Sequence, residues 1–534
     1  MIQLTKPALG LLASVSLIAC ASVPGLGGGS LDERLEAHVA TMASDEFGGR
    51  DTGSEGYDLA ADYVAGFMRE AGLEPAAPDY FQTVPLYRTD PQSIQGELTL
   101  QAGGETIELT PGETVAFYPG SDMPDGSETL VSGDLVFVGD GVVAPALGMD
   151  AYEGVDVRGK IVVFFSGTPK IEDNPAAVHL RRFDVKLAEA EKRGAAGVIY
   201  LDASDRAIGQ YARYLGRASE GPISIGAGFD RQVPTALLGM EPAKELFAAS
   251  GRDLDEVVEQ VKAGTAQSFA LDASAAISVT AEAAPVKAYN VIGKIEGTDP
   301  SLRGKAVVVT AHLDHVGTRD DGDPETDDIY NGALDNATGT AIIMEAARML
   351  AKEGGHKRTI IVAALTGEEK GLLGAAHLAR NVQELGYEPV ANVNIDMPVL
   401  TYPVRDMIAF GAKYSTLGPV FDAAAGEVGL RATPDPVPEM SLFVRSDHYR
   451  FVQEGIPSLF LFNGMEGEGL EGFQAFMATH YHKPSDDMSL PINWEDGAKF
   501  TELTAEIVGR IADMDERPRW NEGVVFAKDE GPRG

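Results

Sequence analysis

From Tyr289 onward the chain alternates between short apolar segments and amphipathic ones. "GKAVVVTAH", "RTIIVAALTGEE" and "VANVNIDM" are runs of β-branched and small apolar residues, whereas "GTAIIMEAARMLAKEG" carries apolar residues at helical spacing and ends at glycine. Strands that alternate with helices form a mostly parallel sheet covered on both faces, and its buried strands are apolar throughout. The alternation therefore predicts an α/β domain, residues 284–516, with a mixed, mostly parallel sheet flanked by helices.

Polar side chains stand at the ends of these strands or in loops, where open α/β sheets form their binding sites. They are imidazoles and carboxylates: His312, Asp335, Glu368, Glu369, Asp396, His480 and His482. Imidazole with carboxylate and no thiolate suits Zn²⁺, and less specifically Mn²⁺ or Co²⁺. So many acids fit two ions about 3.5–4 Å apart that share a carboxylate, as in hydrolytic sites. Because the adjacent Glu368 and Glu369 point differently, we expect one to be a ligand and the other a general base.

Five motifs, taken in order, resemble the M28 family of zinc aminopeptidases and their carboxypeptidase relatives. They are "AHLDH", "GALDNATG", "TGEEKGLLG", "NIDM" and "YHKPSDD". The segment "ASDEFGGRDTGSEGYDLAADYVAGFMREAGLEP" is also similar to the opening of bacterial members, so the resemblance covers nearly the whole mature chain. The resemblance implies a zinc exopeptidase fold with two Zn²⁺ per chain. It also implies that the enzyme hydrolyses the first peptide bond of peptides with a free N-terminus, using a water that bridges the metals.

The same resemblance implies a metal-binding role for each matching residue. His312 and Asp396 would bind one zinc, Glu369 and His482 would bind the other, and Asp335 would bridge both. The family also holds the peptide bond after the bridging aspartate in the cis form, so we expect this at Asp335.

Five further residues take roles around the metals. Glu368 would be the general base, and Asp314 would orient a metal-bound imidazole. Tyr481 would donate to the developing oxyanion, a role that other members give to a tyrosine elsewhere. The tripeptide "SDH" recurs near the family's pocket, so Asp447 and His448 are candidates for substrate binding.

The remaining histidines are expected to have other roles. His38, His179, His356 and His377 lie outside the motifs and are interpreted as structural residues: none belongs to a metal-ligand pattern. His315 and His480 each flank a better-placed ligand and are interpreted as non-ligands. The acidic run "DDGDPETDDIY" lacks the spacing of a calcium-binding EF-hand loop and is expected to be a solvated loop.

Several alternatives remain open from the sequence. A glutaminyl-cyclase-like acyltransferase on the same fold would use one zinc. A carboxypeptidase for acidic C-terminal residues would need a basic pocket, for which Arg445 is the candidate. A receptor that has lost its ligands is disfavoured, because all five expected ligands are present. The chain has no G-x-S-x-G or H-E-x-x-H motif, which argues against a serine hydrolase and a zincin.

Residues 1–19 predict a lipoprotein signal peptide. Lys6 precedes "ALGLLASVSLIA", an apolar stretch too short to span a bilayer, and "LIAC" resembles the lipobox of bacterial lipoproteins. That resemblance implies lipidation of Cys20, the only cysteine, so the chain has no internal disulfide. Residues 20–30 are expected to be a flexible tether. The expected location is the bacterial cell envelope, on the outer membrane facing the periplasm or cell surface, with the lipid at Cys20 as the only membrane contact.

The rest of the chain divides by pattern. Residues 31–95 predict helices that belong to the catalytic domain, and residues 517–534 predict an irregular tail. Residues 96–283 are rich in short strands, with one clear helix at "KLAEAEKRGA". "GDLVFVGDGVV", "GVDVRGKIVVFFSG" and "AEKRGAAGVIYLDA" within them resemble the protease-associated (PA) domain. The net charge of −38, from 43 basic and 81 acidic residues, excludes nucleic acid as a partner. A homodimer stays possible.

Overall fold

The computed structural model describes residues 28–118, 129–168, 170–202, 206–217, 221–225, 233–319, 322–323 and 326–528. The predicted signal peptide and its Cys20 lie outside these residues. Within the described ranges, no helix has the length and apolar character needed to cross a membrane.

The N-terminal part contributes two helices to the core of the C-terminal part. Its elements are α1 (Leu31–Met42), α2 (Glu55–Glu70), β1 (Glu74–Pro75), β2 (Phe81–Thr83) and β3 (Leu86–Thr89). Helix α2 begins where the Ser54 hydroxyl accepts a hydrogen bond from the Tyr57 amide, a common N-terminal cap. Apolar side chains of both helices share one buried core with the strands that follow residue 288, so these helices pack as part of the catalytic unit.

The middle of the chain forms a second sheet. Its elements are β4 (Gln95–Ala102), β5 (Glu105–Ile107), β6 (Val115–Tyr118), β7 (Thr129–Phe137), β8 (Val143–Ala144), β9 (Met149–Asp150), β10 (Ile161–Phe165), α3 (Asn174–Arg181), α4 (Phe183–Lys192), β11 (Gly197–Leu201), α5 (Arg206–Arg217), β12 (Ile223–Ile225), β13 (Thr235–Leu238), α6 (Met240–Ala249), α7 (Leu254–Lys262), β14 (Phe269–Thr280) and β15 (Ala283–Val286). Eight strands form this sheet in the order β5-β4-β14-β7-β10-β11-β13-β6. The single predicted helix corresponds to α4, but four more helices accompany it.

The C-terminal part forms the main sheet. Its elements are β16 (Tyr289–Ile295), β17 (Lys305–His312), β18 (Gly317–Thr318), β19 (Ile329–Tyr330), α8 (Thr338–Glu353), β20 (Thr359–Leu365), α9 (Leu373–Asn381), β21 (Glu388–Ile395), β22 (Asp406–Phe410), α10 (Gly418–Glu427), β23 (Arg431–Thr433), α11 (His448–Gln453), β24 (Ser458–Asn463), α12 (Gly469–Thr479) and α13 (Trp494–Asp513). The main path is β1-β16-β20-β17-β21-β24-β22-β23, with β2 paired to β16. The central strands β20, β17, β21 and β24 are parallel, whereas β16 and β22 run antiparallel to their neighbours. The predicted mixed α/β fold is confirmed.

Strand β17 shows why its sequence is apolar throughout. Val307 and Val309 pack on one side of the sheet, where α8 and α13 cover it. Val308 packs on the opposite side, in a core with residues of α9 and α11. Successive side chains of a strand point to opposite faces, so a strand covered on both faces needs apolar residues at every position.

Helices α3 and α4 of the middle sheet pack against the catalytic part. The His179 imidazole lies 2.8 Å from the Tyr449 hydroxyl, and Asp184 pairs with Arg450 at 3.1 Å. The tail after residue 516 has no helix or strand in its described part, but it is packed: Phe526 is buried against the rings of His179 and of residues in this interface. The described part of the tail therefore packs where the helices of the middle sheet meet the C-terminal part.

Candidate active site

The predicted metal ligands meet beyond the carboxyl ends of the parallel strands. His312 ends β17, Glu369 follows β20, and Asp396 follows β21. Asp335 lies in a turn (Ala333–Ala337) directly before α8, and His482 lies in the loop after α12. Parallel strands deliver their C-terminal residues to the same edge of a sheet, so these five side chains converge although they span 170 positions of the chain.

Each carboxylate oxygen of Asp335 faces a different group of side chains. Oδ1 lies 3.3 Å from His312 Nε2, which is itself 3.1 Å from Asp396 Oδ1. Oδ2 lies 3.3 Å from His482 Nε2, which is 3.2 Å from Glu369 Oε1. Ligand atoms at the corners of a tetrahedron around zinc lie about 3.3 Å apart, because Zn–N and Zn–O bonds are about 2.0–2.1 Å long. Both groups therefore have the donor types and the spacing that a zinc ion requires.

The electrostatics of the site reflect this crowding of acids. Burial lowers the pKa of His482, but Asp335 and Glu369 outweigh it and raise that pKa to about 10. Burial, with nearby Asp396 and Glu369, raises the pKa of Glu368 well above its usual range, although His312 opposes this. A cation between these groups would relieve the repulsion among the carboxylates.

The contacts of Asp314 differ from those expected of a carboxylate that orients an imidazole. His312 Nδ1 donates to the backbone carbonyl of Asp314 at 3.0 Å, not to its carboxylate. The carboxylate instead accepts from the amides of Glu368 at 3.1 Å and Glu369 at 3.3 Å, and from the Thr52 hydroxyl at 3.2 Å. Its burial raises the pKa of Asp314 to about 6. One residue thus fixes both the imidazole and the loop that carries the two glutamates.

Asp486 holds the turn that carries Asp335, a role that the sequence did not reveal. Its Oδ1 accepts from the Leu334 amide at 2.9 Å, and its Oδ2 accepts from the Asp335 amide at 3.0 Å. The peptide bond after Asp335 is cis, as expected. Asp486 belongs to the quoted motif "YHKPSDD", so the signal was its position next to a predicted ligand.

Arg50 supports the site through hydrogen bonds. It lies between α1 and α2, in a polar, glycine-rich segment whose composition is typical of a connecting loop. The side chain is fully buried and donates four hydrogen bonds to backbone carbonyls. Nε donates to Leu313 at 2.9 Å, NH1 donates to Met42 and Asn331 at 2.6 Å each, and NH2 donates to Gly332 at 2.9 Å. The guanidinium thus joins the end of β17 to the turn that carries Asp335.

Ser446 is a further residue that the sequence did not single out. Its hydroxyl donates to Asp396 Oδ2 at 2.5 Å and accepts from Asn394 Nδ2 at 2.8 Å. The hydrogen bond fixes the carboxylate oxygen of Asp396 that does not face His312.

The structure does not bring Asp447 and His448 to the pocket. Both side chains are fully buried, and neither lines the cavity beside the ligands. His448 Nε2 donates to the Phe443 carbonyl at 2.7 Å, and its ring stacks on Phe460. Burial lowers the pKa of His448 to about 3, so the imidazole is neutral. Burial raises the pKa of Asp447 to about 8, and neither of its oxygens has a hydrogen-bond partner among the described residues.

An apolar cavity of about 160 Å³ opens beside the ligands. Besides Ser446 and the metal-facing side chains His312, Asp335, Glu368, Asp396 and His482, its walls are Met397, Met440, Leu442, Arg445, Phe460, Phe462, Phe473, Met477 and Tyr481. The Tyr481 ring stacks on the His482 imidazole with centroids 3.8 Å apart. Burial raises the pKa of Tyr481 well above its usual value, with Asp335 adding to this, so the hydroxyl keeps its proton.

The other histidines occupy different surroundings. His480 Nδ1 lies 2.9 Å from the Ser485 hydroxyl, within its own loop. His315 is fully buried beside the second ligand group, with Nδ1 2.9 Å from Glu369 Oε1 and 3.9 Å from Asp335 Oδ2. The four predicted structural histidines bond within the protein, to Tyr63 and Glu345 (His38), Tyr449 (His179), Asp513 (His356) and Asn381 (His377).

Comparison with known proteins identifies the class. Residues 290–508 match the model of peptidase family M28. Residues 290–508 therefore form a peptidase family M28 domain, as the motifs implied.

The chain is also similar to individual known proteins. Over 447 residues the chain is 24% identical to the probable lipoprotein aminopeptidase LpqL of Mycobacterium tuberculosis, covering 81% of this chain and 74% of that protein. A probable zinc metalloprotease of Pyrenophora tritici-repentis is 41% identical over 120 residues, which are 21% of this chain and 22% of that protein. Among solved structures, the aminopeptidase of Aneurinibacillus sp. strain AM-1 gives a TM-score of 0.41 at 18% identity, covering 92% of this chain and 95% of that chain. The zinc aminopeptidase BSAP of Bacillus subtilis gives 0.42 at 20% identity, covering 89% and 94%.

Proposed function

We propose that the chain is an aminopeptidase that uses two zinc ions to release the N-terminal residue of peptides. The observation that carries this proposal is the pair of ligand groups on the two oxygens of Asp335. His312 and Asp396 would hold one ion, and Glu369 and His482 would hold the other. A shared carboxylate of this kind supports a pair of ions about 3.5–4 Å apart. LpqL and BSAP, which are named aminopeptidases, support the direction of cleavage.

The chain's own residues would move the protons. Zinc, when bound, polarises the scissile carbonyl and makes water more acidic. Glu368 lines the pocket, and its raised pKa suits a group that accepts a proton from the attacking water and returns it to the leaving amine. Tyr481 lines the same pocket with a protonated hydroxyl, so it is placed to donate to the carbonyl oxygen as negative charge develops.

The pocket favours an apolar first side chain. Apart from its polar residues, the cavity is lined mainly by methionine, leucine and phenylalanine, and such surfaces gain free energy by covering an apolar group. Glu368 lines the same cavity and would attract the positive α-amino group. We therefore expect peptides beginning with Leu, Met or Phe to be cleaved faster than those beginning with Asp or Glu.

A carboxypeptidase is the second candidate, because Arg445 lies in the wall of the same cavity and is exposed. A guanidinium binds a carboxylate through two parallel hydrogen bonds, so Arg445 could hold a C-terminus. The two activities differ in which end of the substrate must be free.

One experiment separates them. The chain from Ala21 onward, loaded with zinc, is given a peptide that begins with Leu, its N-acetylated twin and its C-amidated twin, and products are followed by mass spectrometry. The aminopeptidase shortens the peptide from the N-terminus and is blocked by acetylation alone, whereas a carboxypeptidase is blocked by amidation alone. Glu368→Gln should abolish cleavage while keeping the zinc content of the wild type. If none of the three peptides is cleaved, the glutaminyl-cyclase-like alternative is tested next, with a peptide that begins with Gln.

We also propose that Cys20 anchors the chain in the cell envelope. The lipobox-like "LIAC" supports this, and LpqL is named as a lipoprotein. Wild-type chain expressed in bacteria should fractionate with membranes and incorporate labelled palmitate. Cys20→Ser should do neither, and a membrane-bound Cys20→Ser chain would contradict the anchor.

A further inference from the structure

His315 lies against the ligand group formed by Glu369 and His482, yet the proposed reaction assigns it no role. Its Nδ1 is 2.9 Å from Glu369 Oε1, the same oxygen that faces His482 Nε2 at 3.2 Å. The side chain is fully buried, and its ring meets the His482 ring edge to face at 5.6 Å. His315 therefore contacts Glu369, a residue that would bind metal, but does not itself line the pocket.

The surrounding backbone packs closely around the His315 imidazole. The His315 amide donates to the Arg50 carbonyl at 3.2 Å, which fixes the backbone. Gly332 lies under the ring with φ +58°, and a Cβ atom there would stand 2.5 Å from His315 Cδ2 and 2.2 Å from the Asp335 carbonyl oxygen. Only glycine fits at that position, so the turn before the bridging aspartate is shaped around the ring.

Distances distinguish two roles for His315, whose ring nitrogen lies near Asp335 and Glu369 and could in principle face a metal with them. His482 Nε2 lies 3.2 Å from Glu369 Oε1 and 3.3 Å from Asp335 Oδ2, which matches the spacing of about 3.3 Å between tetrahedral zinc ligands. His315 Nδ1 departs from that spacing, at 2.9 Å from the same Glu369 oxygen, a hydrogen-bond distance, and 3.9 Å from Asp335 Oδ2. The other nitrogen, Nε2, is buried and has no hydrogen-bond partner in the part of the chain that the structure describes. The geometry is that of a donor behind a metal ligand, an arrangement that orients ligands in other metal sites.

We propose that His315 is a positioning residue that holds Glu369 in its metal-binding orientation through Nδ1, and that it is not itself a ligand. This inference rests on the proposed two-zinc function. Loss of such a partner typically costs about 10–100-fold in metal affinity. The loss should fall on one of the two zinc positions, because Glu369 belongs to one ligand group only.

The test measures zinc binding rather than peptide cleavage. Competition with a chromophoric chelator gives the number of zinc ions bound and an affinity for each. His315→Leu removes the donor and should weaken one ion about 10–100-fold while the other keeps its wild-type affinity. His315→Asn places an amide donor near the position of Nδ1 and should recover most of that loss. His480→Leu, which alters a histidine bonded to Ser485 within its own loop, is the matched control and should bind both ions normally.

Cobalt substitution adds a spectroscopic signature. The visible absorption of the Co²⁺ form reports the ligand atoms, so wild type and His315→Asn should give the same band positions. A changed Co²⁺ spectrum in His315→Asn, together with an equal loss of one zinc in both variants, would show that His315 is a ligand and would overturn the inference. Two tightly bound ions in His315→Leu would also overturn it. A wild-type chain that binds only one zinc would instead refute the two-zinc proposal, so the two failures are distinguishable.

Discussion

Replacement of Arg50 by methionine should destabilise the catalytic domain strongly. The guanidinium is fully buried, and it is the donor for four carbonyls, at 2.6 Å for Met42 and Asn331 and at 2.9 Å for Leu313 and Gly332. Burial lowers the pKa of Arg50 to about 10, so it is charged at neutral pH. Each buried acceptor left without its donor costs about 1–3 kcal/mol.

The size of the effect follows from these contacts. The Gly332 carbonyl keeps the Ala337 amide as a donor at 3.2 Å, so three acceptors are left unpaired. At the lower end of that range three acceptors give about 3 kcal/mol, which lies within the roughly 3–5 kcal/mol lost when one partner of a buried charged network is removed. Asp486, Asp335 and Asp314 would also lose a nearby positive charge, which adds to the loss. Arg50→Lys should fall between wild type and Arg50→Met, because one ammonium cannot reach carbonyls of three separate segments.

Urea unfolding followed by tryptophan fluorescence measures this loss. Both tryptophans, Trp494 and Trp520, lie in the C-terminal part of the chain, so their signal reports the catalytic domain. Arg158→Met is the matched control: it removes an exposed arginine of the middle sheet that pairs with exposed Asp156, and it should leave the transition unchanged. If Arg50→Met lowered the free energy of unfolding by less than about 1 kcal/mol, the stabilising role of the Arg50 hydrogen bonds would be refuted.

Two further predictions concern Ser446 and Asp184. Ser446→Ala removes the hydroxyl that donates to Asp396 and should weaken one zinc ion about 10–100-fold in chelator competition; unchanged affinity would argue against this support. Burial opposes ionisation of Asp184, but Arg182 and Arg450 hold its pKa well below the usual range. Its ionised form therefore adds stability that is present above about pH 4, the pKa in an unfolded chain, and is lost as the pH falls further. The urea midpoint of Asp184→Asn should lie below that of wild type at pH 7, and the gap should begin to narrow below about pH 4 and close only as the pH approaches the lowered pKa of the folded state. A gap at pH 3 that is as wide as the gap at pH 7 would contradict the ion pair.

The sequence predicted the parts of the site that depend on strand ends. His312, Glu369 and Asp396 each follow an apolar run, and the rule that parallel strands deliver their ends to one edge is enough to bring them together. The main sheet was predictable for the same reason, because strands buried on both faces and amphipathic helices leave different patterns.

The supporting residues could not be found this way. Arg50 acts on backbone carbonyls, which carry no sequence signal, and its acceptors at Leu313 and Gly332 lie more than 260 positions away. The carboxylate of Asp314 was expected to hold an imidazole, but it is used by two amides that only the folded loop brings near.

The packing between the two sheets could not be predicted from the sequence either. His179 and Asp184 lie on helices of the middle sheet, and nothing local indicates that their partners are Tyr449 and Arg450. Phe526 is a lone aromatic residue in an irregular tail, and its burial depends on a surface that both parts of the chain build together.

The most direct test of the central claim is a crystal structure of the zinc-loaded chain, with diffraction data collected on both sides of the zinc absorption edge. Two anomalous peaks about 3.5–4 Å apart should flank Asp335. One peak should lie against His312 and Asp396, and the other against Glu369 and His482. A single peak, with one oxygen of Asp335 left free of metal, would contradict the two-zinc site and favour a one-metal enzyme.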